Sequence, residues 1–206
     1  MESCGIILDR DVIESRCKSI LKPRDLNDEM FSYLEANPRL GIITSITDNY
    51  VKGKLWDPKK KRKNTYKQMV CEYERMKEIC KIEKINYGEF LLKLDKVNTF
   101  FDNLVGQNQT FYFQNKYEKM IRPQRKENTK FSINDGYRKS LAEVVCVRPR
   151  YDKLLFISNN PKFSHPFILN AIEERFDITG GNGELILREI KKLTRNEYLC
   201  NIESIS

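Results

Sequence analysis

"YKQMVCEYERMKEICKIEKINYGEFLLKLDKVNTFFDNLV", residues 66–105, repeats apolar side chains every three and four positions. Counted as heptads from Tyr66, the a positions are Tyr66, Tyr73, Cys80, Tyr87, Leu94 and Phe101, and the d positions are Met69, Met76, Glu83, Phe90, Val97 and Leu104. Only Glu83 interrupts the series. A sustained 3.5-residue period predicts one long helix laid along a partner surface. Thr65 with Gln68 forms a capping box at its start, and Gly106 stands where a stop is expected. At 1.5 Å rise per residue, a helix of about 40 residues reaches ~60 Å. The predicted packing interface is Tyr66, Met69, Tyr73, Met76, Tyr87, Phe90, Leu94, Val97, Phe101 and Leu104.

Val70, Leu91 and Val105 at e, with Ile79 and Phe100 at g, make the apolar stripe wider than a two-stranded coiled-coil seam. The pattern therefore favours burial in a larger assembly, or beneath the chain's own C-terminal part, over a free homodimer. Gly88 costs such a helix about 1 kcal/mol against alanine and marks a bend or close contact.

Outward from this stretch, Val12, Ile13, Cys17, Ile20 and Leu21 fall at helical spacing behind Asp9 as N-cap, and a second helix covers residues 26–36. The run "LGIITSI" reads as a strand or a docked loop. After Gly106, "QNQTFYFQNKYEKMIRP" reads as a helical or extended docking segment, followed by a polar linker over residues 123–131. Beyond it "GYRKSLAEVVCV" predicts a helix, "RYDKLLFIS" a strand, "PFILNAIEERF" a helix opened by Pro166, and "GELILREIKKL" a strand or helix. The expected fold is mainly α with a small α+β module at the C-terminus. Its divisions are residues 1–64 (helical and extended, ending in a basic cluster), 65–122 (long helix and docking segment) and 131–206 (the mixed module).

Of 206 residues, 37 are Lys or Arg and 29 Asp or Glu, a net charge of +8 that favours polyanionic partners: nucleic acid, a phosphoinositide surface or an acidic filament. The densest positive charge is Lys59, Lys60, Lys61, Arg62 and Lys63 behind Pro58. An extended cationic run of this kind fits an importin-alpha groove as a nuclear-import signal. Because cations oppose the dipole at a helix start, it fits equally an external anion such as a filament or nucleic-acid phosphate. Solvated charge is the third reading. No charged leader with a long apolar run opens the chain, and no apolar run approaches about 18 residues, so an intracellular protein without membrane insertion is expected.

Cys4, Cys17, Cys71, Cys80, Cys146 and Cys200 contain no C-x-x-C pair, which predicts free thiols in a reducing compartment with neither zinc knuckle nor disulfide framework. His165, the single histidine, excludes a two-histidine metal helix and reads as a loop or N-cap residue. Glu189 and Lys191, with Asp152 or Asp177, imitate the carboxylates and lysine of a metal-dependent nuclease, but the triplet equally belongs to an amphipathic element. Gly180, Gly181 and Gly183 read as a flexible turn without the lysine of a phosphate cradle. The aromatic and basic residues of 111–126 could clamp a single strand, although core packing is the stronger reading. Asn108 heads a glycosylation pattern that has no meaning in an intracellular chain. No cofactor, metal or catalytic residue is expected.

Residues 66–121 resemble the hemingway-type family of cilia- and flagella-associated proteins. The matching text is "EYERMKEICKIEKINYGEFLLKLDKVNTFFDN", with Ile82, Asn86, Leu91, Leu92 and the Phe101–Asp102 pair, then "FQNKYEKMI" with Gln114 and Asn115. Ile85 stands where that family has an acidic residue. The resemblance implies a non-enzymatic axonemal component bound to microtubules. Charge and shape thus predict a structural protein laying a long helix along an acidic filament such as tubulin in a cilium or flagellum. The alternative is a nuclear protein that binds nucleic acid through Lys59–Lys63.

Overall fold

The computed structural model describes residues 4–19, 27–55, 64–113, 135–160, 163 and 166–192. Three short apolar runs become its central strands: β1 (Cys4–Leu8), β2 (Gly41–Thr44) and β4 (Lys153–Ile157). Their residues are buried almost throughout, as a strand covered on both faces requires. With β3 (Lys81–Glu83) and β5 (Thr179–Gly181) they form one parallel sheet in the order β3-β2-β1-β4-β5. Cys4–Leu8 run in register with Lys153–Ile157, so strands from distant parts of the chain meet at the sheet's centre.

Helices cover both faces. Between β1 and β2 lie α1 (Arg10–Ser19) and α2 (Asp28–Ala36); between β2 and β3 lie α3 (Ser45–Leu55) and α4 (Asn64–Ile79). These four, with α8 (183–192), bury residues such as Val12, Phe31, Tyr73 and Ile186 against Ile6, Leu8, Ile43 and Leu155. On the opposite face α5 (Tyr87–Phe113), α6 (Asp135–Val147) and α7 (Pro166–Phe176) cover Ile7, Ile42, Leu154 and Phe156. Right-handed crossovers dictate this division: the chain moves outward from β1 to β3, then back across β1 to β4 and β5, so its helices change face. The architecture is a doubly wound α/β sheet.

This corrects the expectation of one continuous helix over 66–105. The stretch is α4, then β3, then α5, because Lys81–Glu83 pair with Ile42–Thr44 of β2. Helix α4 stops at Ile79 and α5 starts at Tyr87, so the gap spans one heptad and the register reads straight through it. The predicted interface is accordingly split between layers. Tyr66, Tyr73 and Met76 are buried on one face, with Met69 packed against them, whereas Phe90, Val97 and Phe101 are buried on the other, with Leu94 and Leu104 beside them. Tyr87 is 69% exposed and belongs to neither.

Four further expectations change. Residues 4–8, read as no element, are the central strand, and the sheet is not confined to the C-terminal part. Gly106 does not stop α5, which continues to Phe113. The cap that starts α5 is Asn86, whose Oδ1 accepts the amides of Gly88 at 2.8 Å and Glu89 at 3.3 Å. Gly180 and Gly181 belong to β5 rather than to a free turn, and Asn182 caps α8 by accepting the Leu185 amide at 2.9 Å. The helices expected near 9–21, 26–36, 135–147 and 166–176 and the strand at 153–157 are present.

Gly5 in β1 sits beneath the Tyr151 ring. A Cβ there would lie 2.5 Å from Ile42 Cδ1 and 2.9 Å from two Tyr151 ring carbons. Gly5→Ala is therefore expected to destabilise by about 1–3 kcal/mol, read as a lower urea midpoint at unchanged slope.

Candidate functional site at the carboxyl edge of the sheet

In an open parallel sheet the ligand crevice lies outside the carboxyl ends of the strands, where the strand order reverses. Here that point is between β1 and β4. Leu8 is followed directly by Asp9, Arg10 and Asp11; Ile157 is followed by Ser158, Asn159 and Asn160. The Asp9 amide donates to the Ile157 carbonyl at 2.9 Å and locks the two strand ends together.

Asp9 occupies the N-cap position expected of it, since its carbonyl accepts the amides of Val12 at 3.1 Å and Ile13 at 3.2 Å. Its carboxylate turns inward. Oδ1 accepts the Arg10 amide at 2.7 Å and the Ser140 hydroxyl from α6 at 2.8 Å; Oδ2 accepts the Ser158 hydroxyl at 2.8 Å. Asp11, half-buried two residues on, places Oδ2 3.2 Å from the same Ser158 Oγ and accepts the Asn159 amide on Oδ1 at 3.3 Å. The Asn159 side chain is held in turn by Asn27, whose amide reaches its Oδ1 at 3.1 Å.

Arg10 ties this pair to a second buried acid. Its guanidinium lies 3.2 Å from Glu143 Oε1 and stacks 4.8 Å from the Tyr50 ring centroid. Glu143 Oε2 accepts the hydroxyl of Thr44, at the end of β2, and that of Thr47 at 2.8 Å; the Thr47 amide closes the loop onto Thr44 Oγ1 at 3.1 Å. Asp9, Glu143, Thr44 and Ser158 are all at most 4% exposed. Strands β1, β2 and β4 and helices α1, α3 and α6 thus meet in one polar network.

Burial sets the electrostatics. Desolvation pushes the Asp9 carboxyl above its ordinary range against the donation of Ser140, Ser158 and Arg10. Asp11 rises to about 6, first because it is desolvated and second because Asp9 is beside it. Glu143 also rises through burial, opposed by Thr44, Thr47 and Arg10. Carboxyls shifted toward neutrality at a crevice are the groups that general acid–base chemistry employs.

The same edge receives helix amino ends. Helix α1 begins at Arg10 and α3 at Ser45, each close behind a strand, and α8 begins two residues after β5. Their dipoles favour an anion, although side-chain caps already take the Arg10, Thr47 and Leu185 amides. Dinucleotide-binding sheets carry a glycine-rich turn after the first strand; here β1 runs instead into Asp9, Arg10 and Asp11. Among the described residues no group of three or more His, Cys, Asp or Glu could hold a metal ion.

Among the described residues, those singled out from sequence for chemistry are not part of this network. Lys59–Lys63, His165, Cys200 and residues 114–134 fall outside the described residues. Asp152 and Asp177 precede β4 and β5 and so stand at the amino edge. There Arg148 donates to the Asp177 carboxylate and to the carbonyls of Tyr151, Asp152 and Asp177. Glu189, on α8, pairs with Lys192 at 2.5 Å. Cys4, Cys17, Cys71, Cys80 and Cys146 are free thiols, and burial pushes Cys17, Cys80 and Cys146 up to about 12, which leaves them unreactive. No described helix is long and apolar enough to cross a membrane. The signal that could have found the site is an apolar run ending abruptly in polar residues: "GIIL" before Asp9, and "LLFI" before Ser158.

No protein-family model and no curated protein matches this chain. The class of the protein is therefore set by its fold: a doubly wound α/β protein with paired aspartates at the reversal of strand order.

Proposed function

We propose that the protein binds a phosphate ester at the carboxyl edge of β1 and β4 and transfers its phosphoryl group, with Asp11 as general acid. The observation that carries this reading is the Asp9–Asp11 pair at the strand-order reversal, on the sheet edge from which α1 starts. In the reaction the ester P–O bond breaks as the oxygen of water or an acceptor hydroxyl joins phosphorus. The Asp11 proton passes to the leaving oxygen, and the proton of the attacking group returns to the carboxyl pair.

The excess of cations, 37 against 29, favours a polyanionic carrier for that phosphate, which keeps nucleic acid among the partner classes. The filament reading draws on a helix of about 60 Å, on the basic cluster Lys59–Lys63 and on the family resemblance of residues 66–121; of these, β3 divides the helix.

Full-length protein incubated with para-nitrophenyl phosphate, with and without magnesium, tests the reading. Turnover is expected, with a rate that falls as pH rises through about 6 and Asp11 loses its proton. Asp11→Asn is expected to lower kcat by about 100-fold or more. Absence of turnover, together with no perturbation of the Asp9 and Asp11 carboxyl resonances by inorganic phosphate, would sink it.

A further inference from the structure

Ser158 Oγ carries one hydrogen and two lone pairs, yet three partners surround it. Asp9 Oδ2 lies at 2.8 Å, Asp11 Oδ2 at 3.2 Å, and the Asn160 amide donates to it at 3.2 Å. If both aspartates are ionised, one hydroxyl hydrogen must serve two carboxylates, and a lone pair of Ser158 stays unused in a site where it is 1% exposed. If Asp11 is protonated, every group is matched: Asp11 donates to Ser158, Ser158 donates to Asp9, and the Asn160 amide fills the second lone pair. We infer that Asp9 and Asp11 hold one proton between them through Ser158, which is a positioning residue that relays the proton and keeps Asp11 as its half-buried carrier.

The asymmetry has a structural origin. Asp9 receives three donors, from Arg10, Ser140 and Ser158, which favour its ionised form against the desolvation that raises it. Asp11 receives the Asn159 amide only at 3.3 Å. The remaining groups that face them from neighbouring elements act in both directions. The Arg10 cation on α1 favours ionisation of Asp9, whereas Glu143 on α6 opposes it. Tyr137, also on α6, feels both aspartates. Two carboxyls linked by one hydroxyl titrate as a unit, so the first proton is lost early and the second is retained toward neutrality. The desolvation that raises Asp11 to about 6 acts in the same direction.

The inference concerns protonation alone and stands whether or not the ligand is a phosphate ester. Its test is a carboxyl carbon-13 titration of full-length protein carrying labelled aspartate, with the resonances assigned through Asp9→Asn and Asp11→Asn. In the parent, the Asp11 resonance is expected to titrate with a midpoint near 6. In Asp9→Asn that midpoint falls by about one pH unit, because the neighbouring charge is gone. In Ser158→Ala the relay is cut: Asp9 loses one of its three donors and Asp11 its shared partner, so both midpoints move from their parental values. A parent in which both resonances titrate below about pH 4.5 overturns the inference. So does a Ser158→Ala protein, folded by its amide spectrum, in which both midpoints are unchanged. Should that variant not fold, the parent and Asp9→Asn titrations decide.

Discussion

Replacing Glu143 with alanine is expected to lower the unfolding free energy by about 3–5 kcal/mol, the range for breaking a buried ion pair by removing one partner. Glu143 is 2% exposed and accepts from Thr44, Thr47 and Arg10, which belong to three different elements. Its removal leaves two buried hydroxyls without their acceptor and takes away the nearer of the two carboxylates beside the guanidinium, leaving Asp9 at 4.0 Å, while Arg10 itself is 18% exposed and regains little water. Glu143→Gln, which keeps the volume and the acceptor oxygen, should recover much of the loss. Urea denaturation at neutral pH measures both. A loss below about 1 kcal/mol for the alanine variant would mean that the network is hydrated and contributes as a surface pair does.

Asp11→Asn is expected to act in the opposite direction. The carboxyl is raised from 3.8 to about 6 in the folded protein, so the fold binds its proton more tightly than the unfolded chain does. The stabilisation this confers is complete below about pH 4 and is lost as pH rises through about 6. Above that, the charged carboxylate is held in a site that disfavours it. Asparagine keeps the shape of the protonated acid, and its amide can donate to Ser158 as that acid would. At pH 7.5 the variant should therefore be more stable than the parent by roughly 1–3 kcal/mol, while near pH 4 the two should coincide. Stabilisation accompanied by the fall in kcat expected of Asp11 as a general acid would be the usual signature of a group retained for function at a cost to the fold. Equal stability at both pH values would show that Asp11 is solvated and unperturbed.

The heptad stretch shows why part of this molecule is open to inspection from its residues and part is not. Its amphipathic periods are real, and Tyr73, Met76, Phe90, Val97 and Phe101 are buried as the pattern requires. Continuity is what the sheet breaks. The interruption is one heptad long and contains a strand of three residues, too short to produce an alternation of its own. Two signals are nevertheless present. Glu83, the single polar d position, ends that strand and meets Arg150 at 2.7 Å and Tyr151 at 2.7 Å. Asn86 followed by Glu89 is a helix-start pattern in the interior of the expected helix. The strand at residues 4–8 is hidden for the same reason as β3, since five apolar residues fit a strand, a helix turn or a docked loop equally well.

By itself the sequence determined local properties of this protein: where α1, α2, α6 and α7 begin and end, which of their faces are apolar, and that the charge is positive. Pro166 at a helix start and the apolar spacing of residues 135–147 act within a few residues of themselves, which is why they can be read in order along the chain. Only the tertiary structure decided the sheet and the site. Asp9 and Ser158 are 149 positions apart, and Glu143 lies 99 positions from Thr44. No local period connects them. Parallel strand pairing brings them together, and burial beside one another, which shifts their proton affinities, follows from that pairing alone.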